Sequence, residues 1–247
     1  MIIDAHAHMD ECPIRGYYDP PEKVVRIMDE AGIDMAVVSA YRNAPEADPH
    51  ILEYVARGAA KFPGRLIPFA RLNPRYGDGA LETLDRAVNE FGFRGVKLHP
   101  ASYNLIPFGE ATVRIFKRAA DYGIPLLIHC TDEGMCLPLQ VEMAMERSPE
   151  TKVVLAHLGG FFHTEDVLRV CLRRPNAYVD TSEIPNAKKV RLAVETLGAE
   201  RVLFGTDLPT DNPALEIHKI KAAGLGKEAE ELIFHKNAAR LLGIDAA

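Results

Sequence analysis

Eight short apolar runs recur along the 247-residue chain, and each is followed by a longer stretch of mixed polarity. The short runs are rich in β-branched and other apolar residues, which predicts β-strands. They occupy residues 2–6, 35–39, 66–71, 95–99, 125–129, 153–157, 177–181 and 202–206. This alternation restricts the chain to folds in which strands and helices follow one another.

The longer stretches predict amphipathic helices. They cover residues 22–31, 51–61, 80–91, 111–122, 139–147, 164–173, 188–197 and 229–242. Gly32, Gly123 and Gly198 each come directly after such a stretch, where a left-handed helix cap is expected. Consecutive strand–helix units with apolar strands indicate a parallel sheet covered by helices.

Eight such units can close into a (β/α)8 barrel, and a chain of this length is typical of one barrel. We therefore predict a single α/β domain over residues 1–247, a TIM barrel of parallel strands with outer helices. The competing architecture, an open doubly wound sheet, usually has a Gly-rich turn after its first strand. Here that turn reads His-Ala-His-Met at residues 6–9, which favours the barrel.

The charge pattern limits the kind of partner. Lys and Arg number 29 against 35 Asp and Glu, a net charge of -6 without a long block of one sign. This argues against nucleic-acid or membrane binding and favours a small-molecule partner, and it is compatible with a homodimer. Cys12, Cys130, Cys136 and Cys171 lack Cys-x-x-Cys spacing, and residues 1–6 resemble no secretory leader. We expect reduced thiols and a cytoplasmic protein.

Two histidines at the end of the first predicted strand indicate a metal site. His6 and His8 are two residues apart, so their side chains point the same way, with Asp4 below them. In a closed barrel that direction is inward. Imidazole is the commonest neutral metal ligand, and two on one strand end can bind one ion.

Titratable residues recur at the same place in other predicted units. They are His99, His129, His157 and Asp207, which end or directly follow the fourth, fifth, sixth and eighth strands. The four remaining histidines, His50, His163, His218 and His235, fall in predicted loops or helices and are expected to be ordinary surface or core residues. Because active sites of such barrels lie at the C-terminal strand ends, the recurrence favours a catalytic cluster.

Asp207 suits proton transfer. A divalent ion lowers the pKa of bound water to about 7, and a neighbouring carboxylate can take that proton and return it to a leaving group. The alternative is that Asp207 caps the helix that follows it.

Seven segments together resemble the amidohydrolase superfamily and, within it, the amidohydrolase-related branch, also called amidohydrolase 2. They span the chain as IDAHAH (3–8), ARLNP (70–74), GVKLHP (95–100), IH (128–129), AHLGG (156–160), FGTDLP (204–209) and NAARLLG (237–243). The resemblance implies a distorted TIM barrel with one divalent ion, usually zinc. The implied metal ligands are His6, His8, His129 and Asp207. His157 is implied to contact the bound water or the substrate, which makes it catalytic together with Asp207.

Four further residues are expected to bind substrate: Arg71, Lys97, His99 and Tyr103. Arg71 ends a predicted strand. Its planar guanidinium can bind a substrate carboxylate through two hydrogen bonds, or it can form a salt bridge at the rim of the barrel. Lys97 shares the inward parity of His99 and has two other interpretations. It can be a carboxylated bridge between two metals, as in other superfamily branches, or an internal charge partner of Asp4. We favour one metal ion.

Three functions follow from these residues. The first is hydrolysis of a small, carboxylate-bearing ester, lactone or amide by metal-bound hydroxide. The second is nonoxidative decarboxylation of a small carboxylic acid, in which Asp207 or His157 moves a proton to carbon. The third, a barrel that binds metal or ligand without turnover, has no need of the additional histidine and acid. We predict the first, with the second as the alternative.

Overall fold

A computed structural model describes residues 1–46 and 48–244, and its centre is an eight-stranded sheet in which the strands follow chain order. All paired neighbours in this sheet are parallel. The first and last strands are joined through the Ala5 amide, which donates to the Phe204 carbonyl oxygen at 2.8 Å. The sheet therefore closes into a barrel, which confirms the predicted TIM-barrel fold.

The barrel strands are β1 (Ile3–His8), β4 (Met35–Ser39), β5 (Leu66–Arg71), β6 (Gly95–Leu98), β7 (Leu126–Ile128), β8 (Val153–Leu155), β9 (Ala177–Asp180) and β10 (Val202–Leu203). Between β1 and β4 lies an antiparallel hairpin of β2 (Asp10–Cys12) and β3 (Tyr17–Asp19). No strand was predicted there. Gly16 makes the hairpin feasible, because its φ of 77° lies in the left-handed region, which glycine adopts without strain.

The helices are α1 (Pro21–Ala31), α2 (Ile51–Lys61), α3 (Asp78–Asn89), α4 (Pro100–Tyr103), α5 (Glu110–Asp121), α6 (Pro138–Glu146), α7 (Thr164–Arg173), α8 (Ala187–Leu197), α9 (Pro213–Ala222), α10 (Lys227–Glu231) and α11 (Asn237–Leu242). The helices differ from prediction in three places. The predicted helix 229–242 is interrupted by a π-helical turn, Leu232–Lys236, and neither the short α4 nor α9 was predicted. The buried face of α9 includes Glu216 and Lys219, which removes the apolar periodicity that marks a helix.

Side chains fill the interior of the barrel at the N-terminal ends of its strands. Phe69 of β5 projects onto Gly95 of β6, where an added Cβ atom would lie 2.2 Å from the phenyl ring. Apolar residues of α11, among them Leu241 and Leu242, belong to the same buried cluster and cover this end. The open end of the barrel is therefore the one at the C-terminal strand ends, as in other barrels of this type.

A membrane-spanning helix is not found among the described residues, because none of their helices is both long and apolar enough to cross a bilayer.

Candidate active site

Three side chains bring nitrogen and oxygen atoms together at the open end of the barrel. Nε2 of His6 and Nε2 of His8, both on β1, each lie 3.1 Å from Oδ1 of Asp207. One ligand atom from each residue lies within 4.8 Å of the others, and all three residues are buried. We call these residues the inner donor group. Asp207 is held there by its backbone, since its amide donates to the His6 carbonyl oxygen at 2.8 Å.

Hydrogen bonds orient both imidazoles for metal binding. Nδ1 of His6 lies 3.0 Å from Oδ2 of the buried Asp180, and Nδ1 of His8 lies 3.3 Å from the Ser39 carbonyl oxygen. These oxygens accept hydrogen bonds from Nδ1–H, which leaves the lone pair of each imidazole on Nε2, the atom that faces Asp207. Imidazole nitrogens and a carboxylate oxygen are ordinary ligands of divalent transition metals. The inner donor group therefore fits such an ion.

Lys97 does not pair with Asp4. Its ammonium contacts Nε2 of His6, whereas Asp4 accepts hydrogen bonds from the His6 amide, the Thr206 amide and the Thr206 hydroxyl. Burial lowers the pKa of Lys97 to about 8 and raises that of Asp4 to about 8. The interpretation of Lys97 as a charge partner of Asp4 is wrong. Because Lys97 uses the nitrogen that faces Asp207, this contact and a metal ion on His6 exclude each other.

The remaining predicted histidines form a chain beside the inner donor group. Nε2 of His157 lies 3.0 Å from Nδ1 of His129, and the His99 ring stacks on the His129 ring at a centroid distance of 3.9 Å. His129 does not join the inner donor group, because its Nε2 lies 3.3 Å from Oε2 of Glu133. The structure thus brings together three of the four predicted metal ligands. The fourth, His129, lies outside this group, between His157 and Glu133.

Two acidic residues, at the end of β9 and in the loop after it, contact the site histidines, and the first of them, Asp180, was not predicted as a site residue. Asp180 ends β9 and accepts hydrogen bonds from the His157 amide and the Ser182 hydroxyl as well as from His6. The sequence did offer a signal for Asp180, because it lies near the end of the predicted strand 177–181. No titratable residue of that strand was considered. Glu183, which follows in the same loop, places Oε2 3.2 Å from Nδ1 of His157.

The carboxyl groups of Asp207 and Glu183 both hold protons more tightly than usual. Burial, opposed by the neighbouring Lys97 ammonium, raises the pKa of Asp207 to about 6. Burial and the nearby Asp207 carboxylate raise the pKa of Glu183 to about 8. The predicted alternative role of Asp207 as a helix cap is not observed, because Asn212 caps α9 through its side chain.

Arg71 points into the barrel and has no acidic partner within the described residues. It pairs in register with Lys97 across β5 and β6, so both side chains point into the barrel. Its Nε donates to Oδ1 of Asn43 at 3.0 Å, and the residue is 7% exposed. No carboxylate within salt-bridge distance of Arg71 occurs in residues 1–46 and 48–244, so the alternative of a rim salt bridge is not observed.

The other two predicted substrate contacts lie on and near α4. His99 caps this helix, with Nδ1 accepting from the Ser102 amide at 3.3 Å. Tyr103 is buried in the hydrophobic core, and its hydroxyl has no hydrogen-bond partner within the described part of the chain. A cavity of about 440 Å³ opens beside His129 and His157 and is lined by these two residues, Glu183 and Phe161 among others. It is large enough for a small aromatic acid.

Comparisons with known proteins agree with the barrel fold. The amidohydrolase family model matches residues 3–244. The chain is 22% identical over 284 residues to a gamma-resorcylate decarboxylase from a Rhizobium species, covering 90% of this chain and 87% of that protein. A dihydroxybenzoic acid decarboxylase from a Polaromonas species, solved with bound manganese and 2-nitroresorcinol, has a TM-score of 0.76 at 20% identity and covers 100% and 98% of the two chains. An uncharacterised TIM-barrel protein from Bordetella bronchiseptica has a TM-score of 0.79 at 20% identity, with 98% of each chain covered.

These relatives correct the predicted reaction. The sequence predicted a hydrolase of a small ester, lactone or amide, but the relatives with a named reaction are decarboxylases. The prediction of hydrolysis is therefore wrong, and the findings favour the alternative, nonoxidative decarboxylation. A divalent ion agrees with the manganese of the Polaromonas enzyme, whereas zinc has no support from it.

Proposed function

Because the chain belongs to the amidohydrolase family, whose model spans residues 3–244, we propose that this enzyme is a metal-dependent nonoxidative decarboxylase of a small hydroxylated aromatic acid. The substrate class follows the names of its relatives, which act on resorcylate and dihydroxybenzoate. The proposal requires a site that holds an anion, binds a divalent ion and delivers one proton to carbon. Each requirement has a counterpart among the described residues.

The buried guanidinium of Arg71 is the observation that carries the proposal. Removing a cation from water is costly unless an anion compensates it. Among the described residues, Arg71 has only the neutral Asn43 as a side-chain partner, and it lies beside Lys97, a second buried cation. A substrate carboxylate entering the cleft would supply the missing negative charge, and guanidinium can hold it with two parallel hydrogen bonds.

The inner donor group would hold the ion through His6, His8 and Asp207, with His129 as the fourth ligand after rotation of its ring. Manganese and zinc both accept this set of ligands. When bound, the ion supplies positive charge that polarises and orients the oxygen atoms of the substrate. Asp180 and the Ser39 carbonyl oxygen would keep the two β1 imidazoles in the tautomer that ligation needs.

His157 and Glu183 would deliver the proton. In decarboxylation the bond between the ring carbon and the carboxyl carbon breaks, carbon dioxide leaves, and the electron pair on the ring carbon takes up a proton. His157 is 1% exposed, whereas the Glu183 side chain is 34% exposed, so Glu183 links the buried imidazole to solvent. A protonated Glu183, which its raised pKa maintains near neutral pH, can reload His157 through Nδ1.

A substrate panel tests this function. Metal-free protein is loaded with manganese or zinc and offered dihydroxybenzoates, other hydroxybenzoates, and aryl esters and lactones of matched size. We expect release of carbon dioxide from at least one hydroxybenzoate and no hydrolysis of the esters. The control is His6→Ala combined with His8→Ala, which should retain the fold by circular dichroism and lose both metal and turnover. Hydrolysis without carbon dioxide release would contradict the proposal.

A further inference from the structure

A second set of side chains with potential metal-ligating atoms lies outside the inner donor group. His99, His129, Glu133 and Cys136 each place one ligand atom within 4.8 Å of the others, and we call them the outer donor group. Nε2 of His129 lies 3.3 Å from Oε2 of Glu133, and Sγ of Cys136 lies 3.6 Å from the same oxygen. The group contains two imidazoles, one carboxylate and one thiol, and it offers four ligands to one ion when Nδ1 of His99 gives up its hydrogen bond from the Ser102 amide.

The local structure holds these ligands in place. His99 and His129 follow adjacent barrel strands, and their rings stack nearly parallel, 10° apart. Glu133 and Cys136 belong to the loop after β7, in which the Cys136 amide donates to the Glu133 carbonyl oxygen at 2.8 Å. Cys136 is fully buried and Glu133 is exposed, so an ion can enter from the solvent side and meet the thiol at the inner side.

The thiol determines which ion the outer donor group prefers. A cysteine sulfur is a soft ligand that favours zinc and cadmium over manganese, which prefers oxygen ligands. Binding requires the thiolate, so Cys136 loses its proton to solvent when the metal–sulfur bond forms. The inner donor group has no sulfur ligand, and the two groups therefore differ in metal preference.

His129 belongs to one group or to the other. The proposed function needs its imidazole as the fourth ligand of the inner ion. In the structure its Nδ1 is occupied by Nε2 of His157, and its Nε2 is directed at Glu133. An ion in the outer donor group would fix this orientation and leave the inner ion with only His6, His8 and Asp207.

We propose that the outer donor group is an inhibitory site for thiophilic divalent ions, which hold His129 away from the catalytic metal. The inhibitory effect rests on the proposed function, whereas binding of the ion does not. The outer site would make the enzyme sensitive to excess zinc while manganese supports turnover.

Metal binding by the full-length protein tests the site without reference to any reaction. Metal-free protein is titrated with cobalt(II), and the thiolate-to-cobalt charge-transfer absorption is followed in the near ultraviolet. We expect this absorption in the wild type and in Cys171→Ala, a matched variant that replaces a buried cysteine of α7. It should be lost in Cys136→Ala, which should also bind one equivalent of zinc fewer. An absorption that is unchanged in Cys136→Ala, or missing in the wild type, would overturn the proposed site.

Inhibition is measured separately on the manganese-loaded enzyme. Excess zinc should lower turnover at least tenfold in the wild type and in Cys171→Ala, and have at most a twofold effect in Cys136→Ala. Equal inhibition of all three proteins would refute the inhibitory role. If no hydroxybenzoate is decarboxylated, the proposed function fails, and the cobalt and zinc titrations still decide whether the outer site exists.

Discussion

Replacing Asp180 by Asn should weaken metal binding by the inner donor group. Asp180 is not a member of this group, but it orients the imidazole of His6, which is. Oδ1 of Asp180 accepts from the Ser182 hydroxyl, the Ser182 amide and the His157 amide, and Oδ2 lies 3.0 Å from Nδ1 of His6. The Asn carbonyl oxygen can satisfy the first three donors. Its NH2 group must then face His6.

An amide NH2 donates to Nδ1, which shifts the His6 proton to Nε2, the atom needed for the metal. Loss of such a supporting carboxylate typically costs about 10–100-fold in metal affinity, or about 1.4–2.7 kcal/mol. We therefore expect the manganese dissociation constant of Asp180→Asn to rise by about 10–100-fold, with an unchanged circular dichroism spectrum.

The assay is an equilibrium titration with manganese, followed by electron paramagnetic resonance of the free ion. Asp132→Asn is the matched control, because the Asp132 carboxylate accepts from the Phe161 and Phe162 amides and does not touch the inner donor group. Its affinity should equal that of the wild type. Equal affinities of Asp180→Asn and the wild type would refute the role assigned to the tautomer of His6.

Three further substitutions test separate parts of the site. Arg71→Met should raise KM by roughly tenfold or more at unchanged metal content, since a hydrogen-bonded charge typically contributes about 1.5–3 kcal/mol; an unchanged KM would remove Arg71 from substrate binding. His157→Asn should keep the metal and lose about 100-fold or more in kcat, the usual contribution of a proton-transfer group, and normal turnover would exclude His157 from that role. The third is His99→Asn in the metal-free protein. Burial, and to a smaller extent the neighbouring His129, hold the pKa of His99 far below its ordinary 6.5, so His99 takes up a proton when the protein unfolds below that pH. As the pH falls below 6.5, the free energy of unfolding of the wild type should drop by up to about 1.4 kcal/mol per pH unit more than that of His99→Asn, as measured by urea unfolding, and equal pH dependence of the two proteins would refute a buried, neutral His99.

The barrel was predictable because its strands carry their own signal. The predicted bounds 35–39 and 66–71 are those of β4 and β5, since both strands are continuous apolar runs that end at a turn. Helix α9 was missed because Glu216 and Lys219 pair with each other inside the protein. Hydrophobic periodicity assumes that buried positions are apolar, and a buried ion pair breaks that assumption.

The site was predictable to the level of strand ends and no further. His6 and His8 were identified because their spacing matches the two-residue period of a strand. Asp180 was missed because its importance depends on a hydrogen bond to His6, a residue 174 positions away in the chain. The orientation of His129 toward Glu133 depends likewise on side-chain torsion and on the loop after β7, which sequence spacing does not determine.

The most direct test of decarboxylation is the fate of the carboxyl group and of the proton in one reaction. The manganese-loaded enzyme is incubated in D2O with 2,6-dihydroxybenzoate labelled with carbon-13 in its carboxyl group. The account predicts labelled carbon dioxide and resorcinol in equal amounts, with a deuteron at the ring carbon that carried the carboxylate, and neither product from the variant that lacks His6 and His8. If no substituted hydroxybenzoate released labelled carbon dioxide while the protein held its metal, the assignment as a decarboxylase would be contradicted.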